Sequence, residues 1–117
     1  MTGISTSAFY EDGPFEQVLA VDVLSGAPTT STRDLWSQSG TVEAGVWVMT
    51  PGTARDIEAE EIFVVLAGRA TLTVGDAAPR TITTGDIVSF AEGDRTIWHV
   101  HETLRKFYAI RTTTDME

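Results

Sequence analysis

The chain has no cysteine, which excludes disulfides, thiolate nucleophiles and zinc–thiolate sites together. Basic residues are scarce, with 8 Lys and Arg against 17 Asp and Glu, a formal charge of −9. A surface of that sign repels phosphate backbones and anionic bilayers, so neither nucleic acid nor a membrane is an expected partner. No apolar run approaches the roughly 20 residues of a membrane-spanning helix. The opening stretch, MTGISTSAFYEDGPFEQ, has no basic n-region and no continuous apolar segment. It does not read as a signal peptide, and a soluble, cytoplasmic protein is expected. Gly-rich phosphate loops are missing, and no Ser-His-Asp set is framed, because His99 and His101 are the only imidazoles.

What is present points to one β-rich domain. Apolar residues make up 42% of 117 positions, enough for a single core. The reading divides the chain into a loosely draped arm (1–17), one domain (18–112) and a short tail (113–117). QVLAVDVLSG holds a short strand, whereas APTTSTRDLWSQSG reads as polar and turn-rich, with Leu35 and Trp36 docking on the core. From Thr41 onward come TVEAGVWVMT, EIFVVLAG, ATLTVGD, RTITTGD, IVSF, TIWHVHE and LRKFYAIRT. Pro51-Gly52, Gly68, Gly75-Asp76, Gly85-Asp86 and Gly93-Asp94 separate them, all with turn chemistry. Val, Ile, Thr and aromatic residues suit a pleated surface, and no helical period is sustained. The fold class is all-β, a sandwich or small barrel. Ile62 to Leu66 are apolar on both faces, so an arm, a second sheet or another copy of the chain has to cover one of them. A homodimer is the preferred explanation.

The order of these pieces carries a resemblance. Gly45-Val46-Trp47, Thr50-Pro51-Gly52, Glu60-Glu61, Leu66-Ala67-Gly68, Gly85-Asp86, Thr96-Ile97-Trp98 and Arg105-Lys106 together resemble the cupin superfamily. More narrowly, they resemble its small branch of ureidoglycine aminohydrolase-type (DUF861-like) and ethanolamine-utilisation-type cupins. That resemblance covers Val18 to Thr112 and implies a double-stranded β-helix, the cupin jelly-roll barrel. It also implies where a metal would be held. Anchored on Gly68, the family's glutamate ligand falls on Glu61. Its two histidines fall on Ala54 and Asp56 with the family's longer spacing, or on Arg55 and Ile57 with its shorter one. Anchored on Gly85 and Gly93, the remaining histidine falls on Thr96, and a family proline on Ala91. Three of four ligands are missing, so neither a metal nor another cofactor is expected. The related ureidoglycine enzymes are two-domain and metal-bound, so their reaction is not carried over.

If Thr96 takes the inward position, alternation turns Trp98 and Val100 inward and sends His99 and His101 to the other face. A bulge at Gly93-Asp94 would exchange the faces. Glu61, Phe63 and Val65 are inward by motif position. In LRKFYAI the inward set is either Lys106, Tyr108 and Ile110, or Arg105, Phe107 and Ala109; the resemblance selects the first. With no metal to neutralise Glu61, the ammonium of Lys106 is the expected counter-charge, since a lone buried carboxylate is costly. Glu61, Lys106 and Tyr108 are the candidate catalytic residues, and Trp47, Asp56, Phe63, Thr96 and Trp98 the candidate ligand contacts. Pro51 to Glu60 reads as a polar loop able to act as a lid, with Asp56, Glu58 and Glu60 along a solvated edge. The sequence supports a binder of a small polar molecule and, equally, an enzyme (hydrolase, isomerase or lyase) using Glu61 as general acid or base. An accessory subunit with a filled barrel is the third reading.

Overall fold

Each β-branched run becomes a strand in the computed structural model, which describes residues 8 to 112. Residues 1 to 7 of the expected arm, and the expected tail from 113 to 117, lie outside the described residues. The strands are β1 (Phe15–Gln17), β2 (Val23–Ser25), β3 (Thr29–Gln38), β4 (Val42–Met49), β5 (Gly52–Ile57), β6 (Glu60–Val74), β7 (Arg80–Thr83), β8 (Ile87–Phe90) and β9 (Arg95–Arg111). All pairings are antiparallel. One continuous sheet curls over into two leaves. The first runs β1-β3-β4-β9-β6-β8 and the second β2-β5-β9-β6-β7. No helix among the described residues is long and apolar enough to cross a membrane.

The two longest strands belong to both leaves. β6 gives Glu61–Val64 to β8 and Arg69–Leu72 to β7. β9 gives Leu104–Arg111 to β4 and Arg95–Val100 to β5. Sequence reading divides each of them in two; in β6 the break is set at Gly68. The backbone passes through instead, with register shifts between Val65 and Ala70. Gly68 adopts φ 91° where β6 crosses β9, and a Cβ there would stand 2.0 Å from the carbonyl oxygen of Thr103. The glycine makes a bend, not a turn.

Three further expectations change. Thr29–Gln38 is a ten-residue strand because its threonines supply β-branched residues to a face that faces solvent or cavity. Trp36 on it is 48% exposed and does not dock on the core. The supposed lid from Pro51 is mostly β5, built into the second leaf between β2 and β9. Of the arm, Phe15–Gln17 pairs with β3, and Phe9 packs on Phe107 with ring centroids 5.2 Å apart.

The core between the leaves contains Met49, Phe63, Val65, Leu72, Phe90, Trp98 and Leu104, all buried. Under the arm lies a second apolar layer, where Val46 stands across from Phe107 and Val48 across from Arg105. Arg105 ties the arm down by donating to the Phe9 carbonyl and pairing with Asp12 at 2.7 Å. Further along that outer face, Ile62 (52%) and Ile87 (69%) remain exposed.

Candidate functional site

Alternation along three strands aims the polar side chains inward. β6 buries Glu61, Phe63 and Val65, and β9 buries Thr96, Trp98, Val100, Lys106 and Tyr108. Register places Lys106 beside both Trp47 of β4 and Val65 of β6. Its Nζ lies 2.8 Å from Glu61 Oε2, with the two side chains 6% and 4% exposed. The rings of Phe63, Trp47 and Trp98 surround the same ammonium at 4.4, 4.5 and 4.7 Å. A carboxylate and three π faces all attract the ammonium. The contact to Oε2 is a charge pair without hydrogen-bond geometry, so that oxygen is a buried acceptor with no hydrogen bond.

A second buried carboxylate is Glu58, which sequence reading places on a solvated edge. It stands between β5 and β6, where its Oε2 accepts from Thr96 Oγ1 at 2.7 Å and from Trp98 Nε1 at 3.0 Å. Its backbone bonds the β8–β9 turn on both sides, N to the Asp94 carbonyl and O from the Gly93 amide. Continuing the alternation of Ala54 and Asp56 by one more step would have pointed to it. Glu60, by contrast, is at the surface and pairs with Arg111.

Asp56 reaches the same cavity from β5 and is more exposed. Desolvation first, then the charge of Glu58, hold its carboxyl above the ordinary 3.8. An acid whose folded-state pKa is raised weakens the fold once it ionises, and the penalty vanishes as pH falls below its unfolded value. Asp56→Asn keeps the side-chain acceptor that Ile57 N uses at 2.8 Å. The variant should therefore gain stability at neutral pH, by less than about 1 kcal/mol given its exposure. Melting curves should show the gain fading toward about pH 4; a gain that persists in acid would contradict this origin.

Tyr108 lies elsewhere in the cavity, donating from its hydroxyl to Asp34 Oδ1 at 2.9 Å. Burial first, then the hydrogen bond to Asp34, raises its pKa well above 10.0, so the phenol keeps its proton. Gly45 makes room for that hydroxyl, since a Cβ there would lie 2.8 Å from it. Sequence reading misses Asp34 because its strand resembles a run of turns; once β3 is seen, Thr30, Thr32 and Asp34 share the cavity face.

The residues present do not fit a cupin metal. Ala54 and Asp56 stand across from Trp98 and Thr96, so the longer spacing gives the inward pair and Arg55 and Ile57 face away. Ala54 has no donor, Thr96 is bonded to Glu58, and Glu61 already faces an ammonium. Among the described residues no group of three or more His, Cys, Asp and Glu side chains is arranged to hold a metal ion. His99 and His101 lie on the outer face, their rings 4.3 Å apart, with His101 Nε2 2.8 Å from Thr71 Oγ1.

Above the Glu61–Lys106 pair lies a cavity of about 580 Å³, reached by Trp47, Asp56, Glu58, Trp98 and Tyr108. Such a volume is in the range that encloses small ligands. Phe63 and Thr96 stand behind it, Phe63 against the Trp98 ring at 5.7 Å. Cupins are jelly rolls of this kind, with a pocket between the leaves. Residues 36–108 match the EutQ-like cupin domain, and the chain belongs to that family. Among curated proteins no relative matches.

Solved structures agree on the fold. A Pseudomonas syringae pv. tomato protein of the DUF861 family, of unknown function, superposes with a TM-score of 0.75 at 25% identity. The match covers 86% of this chain and 44% of that one, so the chain spans under half of that protein. EutQ of Clostridium difficile gives 0.64 at 19% identity, over 73% of this chain and 69% of that one. The DMSP lyase DddQ of Ruegeria pomeroyi gives 0.62 at 21%, over 75% and 49%. The last two likenesses concern the fold alone.

Proposed function

We propose that this cupin binds a small polar molecule in the barrel, above an ion pair that stands in place of the family's metal. The observation that carries this reading is the Glu61–Lys106 contact, buried yet bordering a cavity of about 580 Å³. A barrel filled by its own side chains would leave no such space, which argues against the accessory-subunit reading. Trp47 and Trp98 supply flat walls, and Asp56 and Glu58 supply acceptors. The enzymatic alternative keeps Glu61 as general acid or base on a small metabolite. Tyr108 is better suited to hold a ligand than to shuttle protons, because its own proton is held by Asp34. The same proposal includes two copies meeting through the Ile62 and Ile87 face, which the mass in solution checks.

A thermal-shift screen of small polar metabolites tests the binding site. A hit should raise the unfolding midpoint, because a ligand of the native state alone stabilises it. Thr32→Trp, at an exposed position on the cavity wall, should abolish the shift by filling the space. Shifts that survive this substitution would place binding elsewhere on the protein.

A further inference from the structure

Glu58 is clamped through one carboxylate oxygen and left open at the other. Its backbone N and O bond the Asp94 carbonyl and the Gly93 amide, both at 2.8 Å, so the β8–β9 turn fixes where the side chain starts. Both hydrogen bonds to the carboxylate fall on one atom, Oε2, which accepts from Thr96 Oγ1 and Trp98 Nε1. No protein donor meets Oε1 among the described residues. Nor is that atom sealed off: among the described residues, Glu61 Oε2 is the one side-chain oxygen or nitrogen both fully buried and without a hydrogen bond. A residue only 8% exposed therefore turns a bare acceptor toward the cavity it lines. Asp34 and Asp56 each have one oxygen engaged as well, but both stand at exposed positions where bulk water serves the other. In so enclosed a place an acceptor gains far more from a donor brought by a guest.

The partners of Glu58 fix the polarity of this spot. An indole N–H donates and never accepts, so the atom facing Trp98 has to be an acceptor. Thr96 Oγ1 accepts from the same indole at 3.1 Å and commits its own proton to Glu58. Tyr108 likewise commits its proton to Asp34. The donors of Thr96, Trp98 and Tyr108 are thus taken, and the acceptor at Oε1 is not.

We infer that Glu58 Oε1 sets the specificity of the cavity, selecting a guest that presents an N–H or O–H donor over one that carries acceptors alone. This rests on the reading of the cavity as a ligand site.

Pyrrolidinone and cyclopentanone are the probes, alike in ring and carbonyl and different in an N–H against a methylene. Binding to the full chain is followed by NMR at the Trp47 indole signal. The wild type should hold the lactam about tenfold more tightly, the effect of one hydrogen bond to a charged acceptor. Glu58→Gln should make the two affinities equal. Trp98 still demands an acceptor, so the glutamine oxygen takes the place of Oε2 and its amide nitrogen faces the cavity, with shape kept and polarity reversed. Adding Trp98→Phe removes the partner that only donates. Thr96 can then accept, the amide can turn round, and part of the lactam preference should return, which a merely destabilised protein would not show.

Equal affinities in the wild type, a comparison that needs no variant, would overturn the inference. A preference that Glu58→Gln leaves intact would do the same, and a double variant without preference would remove the part given to Trp98. In each case binding that Thr32→Trp abolishes leaves the ligand site standing. If neither probe binds, the assignment to Oε1 falls; if no compound of the metabolite screen binds either, the ligand-site reading falls with it.

Discussion

Lys106→Met should lower the unfolding free energy by about 3–5 kcal/mol, a large share of what a domain of this size possesses. The substitution keeps an unbranched apolar stem but leaves the buried Glu61 carboxylate without its counter-charge. Lost with the ammonium are a contact at 2.8 Å and three cation–π approaches. Breaking a buried pair costs more than the pair contributes, because the survivor stays buried and uncompensated. Adding Glu61→Leu to Lys106→Met should therefore recover most of the loss. Denaturant titration of the wild type, both single variants and the double variant closes the cycle. A Lys106→Met protein within about 0.5 kcal/mol of wild type would show that solvent reaches Glu61 and that the pair does not organise the interior.

Gly68→Ala should be comparably damaging, at about 3–5 kcal/mol or outright loss of soluble folded protein. Two penalties coincide there. The backbone sits at φ 91°, a region that side chains avoid, and the new methyl would meet the Thr103 carbonyl at 2.0 Å. The atom in the way is main chain, so no rotamer change relieves it. Gly75, at φ 55° with nothing within 4 Å of where a methyl group would stand, is the control. Alanine there should cost about 1 kcal/mol. Equal stability losses at the two glycines would show that the crossing of β6 and β9 is not tight.

The fold is legible because period-2 alternation and the Gly-Asp turns are local signals, read from a few residues at a time. The same alternation orders Thr96, Trp98 and Val100 inward and puts His99 and His101 outside. It cannot show that β6 passes through Gly68, because a bend and a turn use the same residue and differ only in what lies across from it. Nor can it make Thr29–Gln38 a strand, since polar β-branched residues announce neither core nor turn until β4 is seen beside them. The Glu61–Lys106 pairing follows from charge balance joined to the family resemblance, whereas Glu58 and Asp34 need the third dimension. Their partners, Thr96 and Trp98 for one and Tyr108 for the other, are 38, 40 and 74 residues away in sequence.

Because β6 and β9 each thread both leaves, neither leaf is an independent folding unit. Prying the leaves apart means bending two continuous covalent rods, so widening of the pocket falls to the wall strands outside them, β1, β3, β4 and β5. The floor residues Glu61 and Lys106 ride on the rods themselves, and a guest molecule therefore meets a rigid base beneath a more yielding rim.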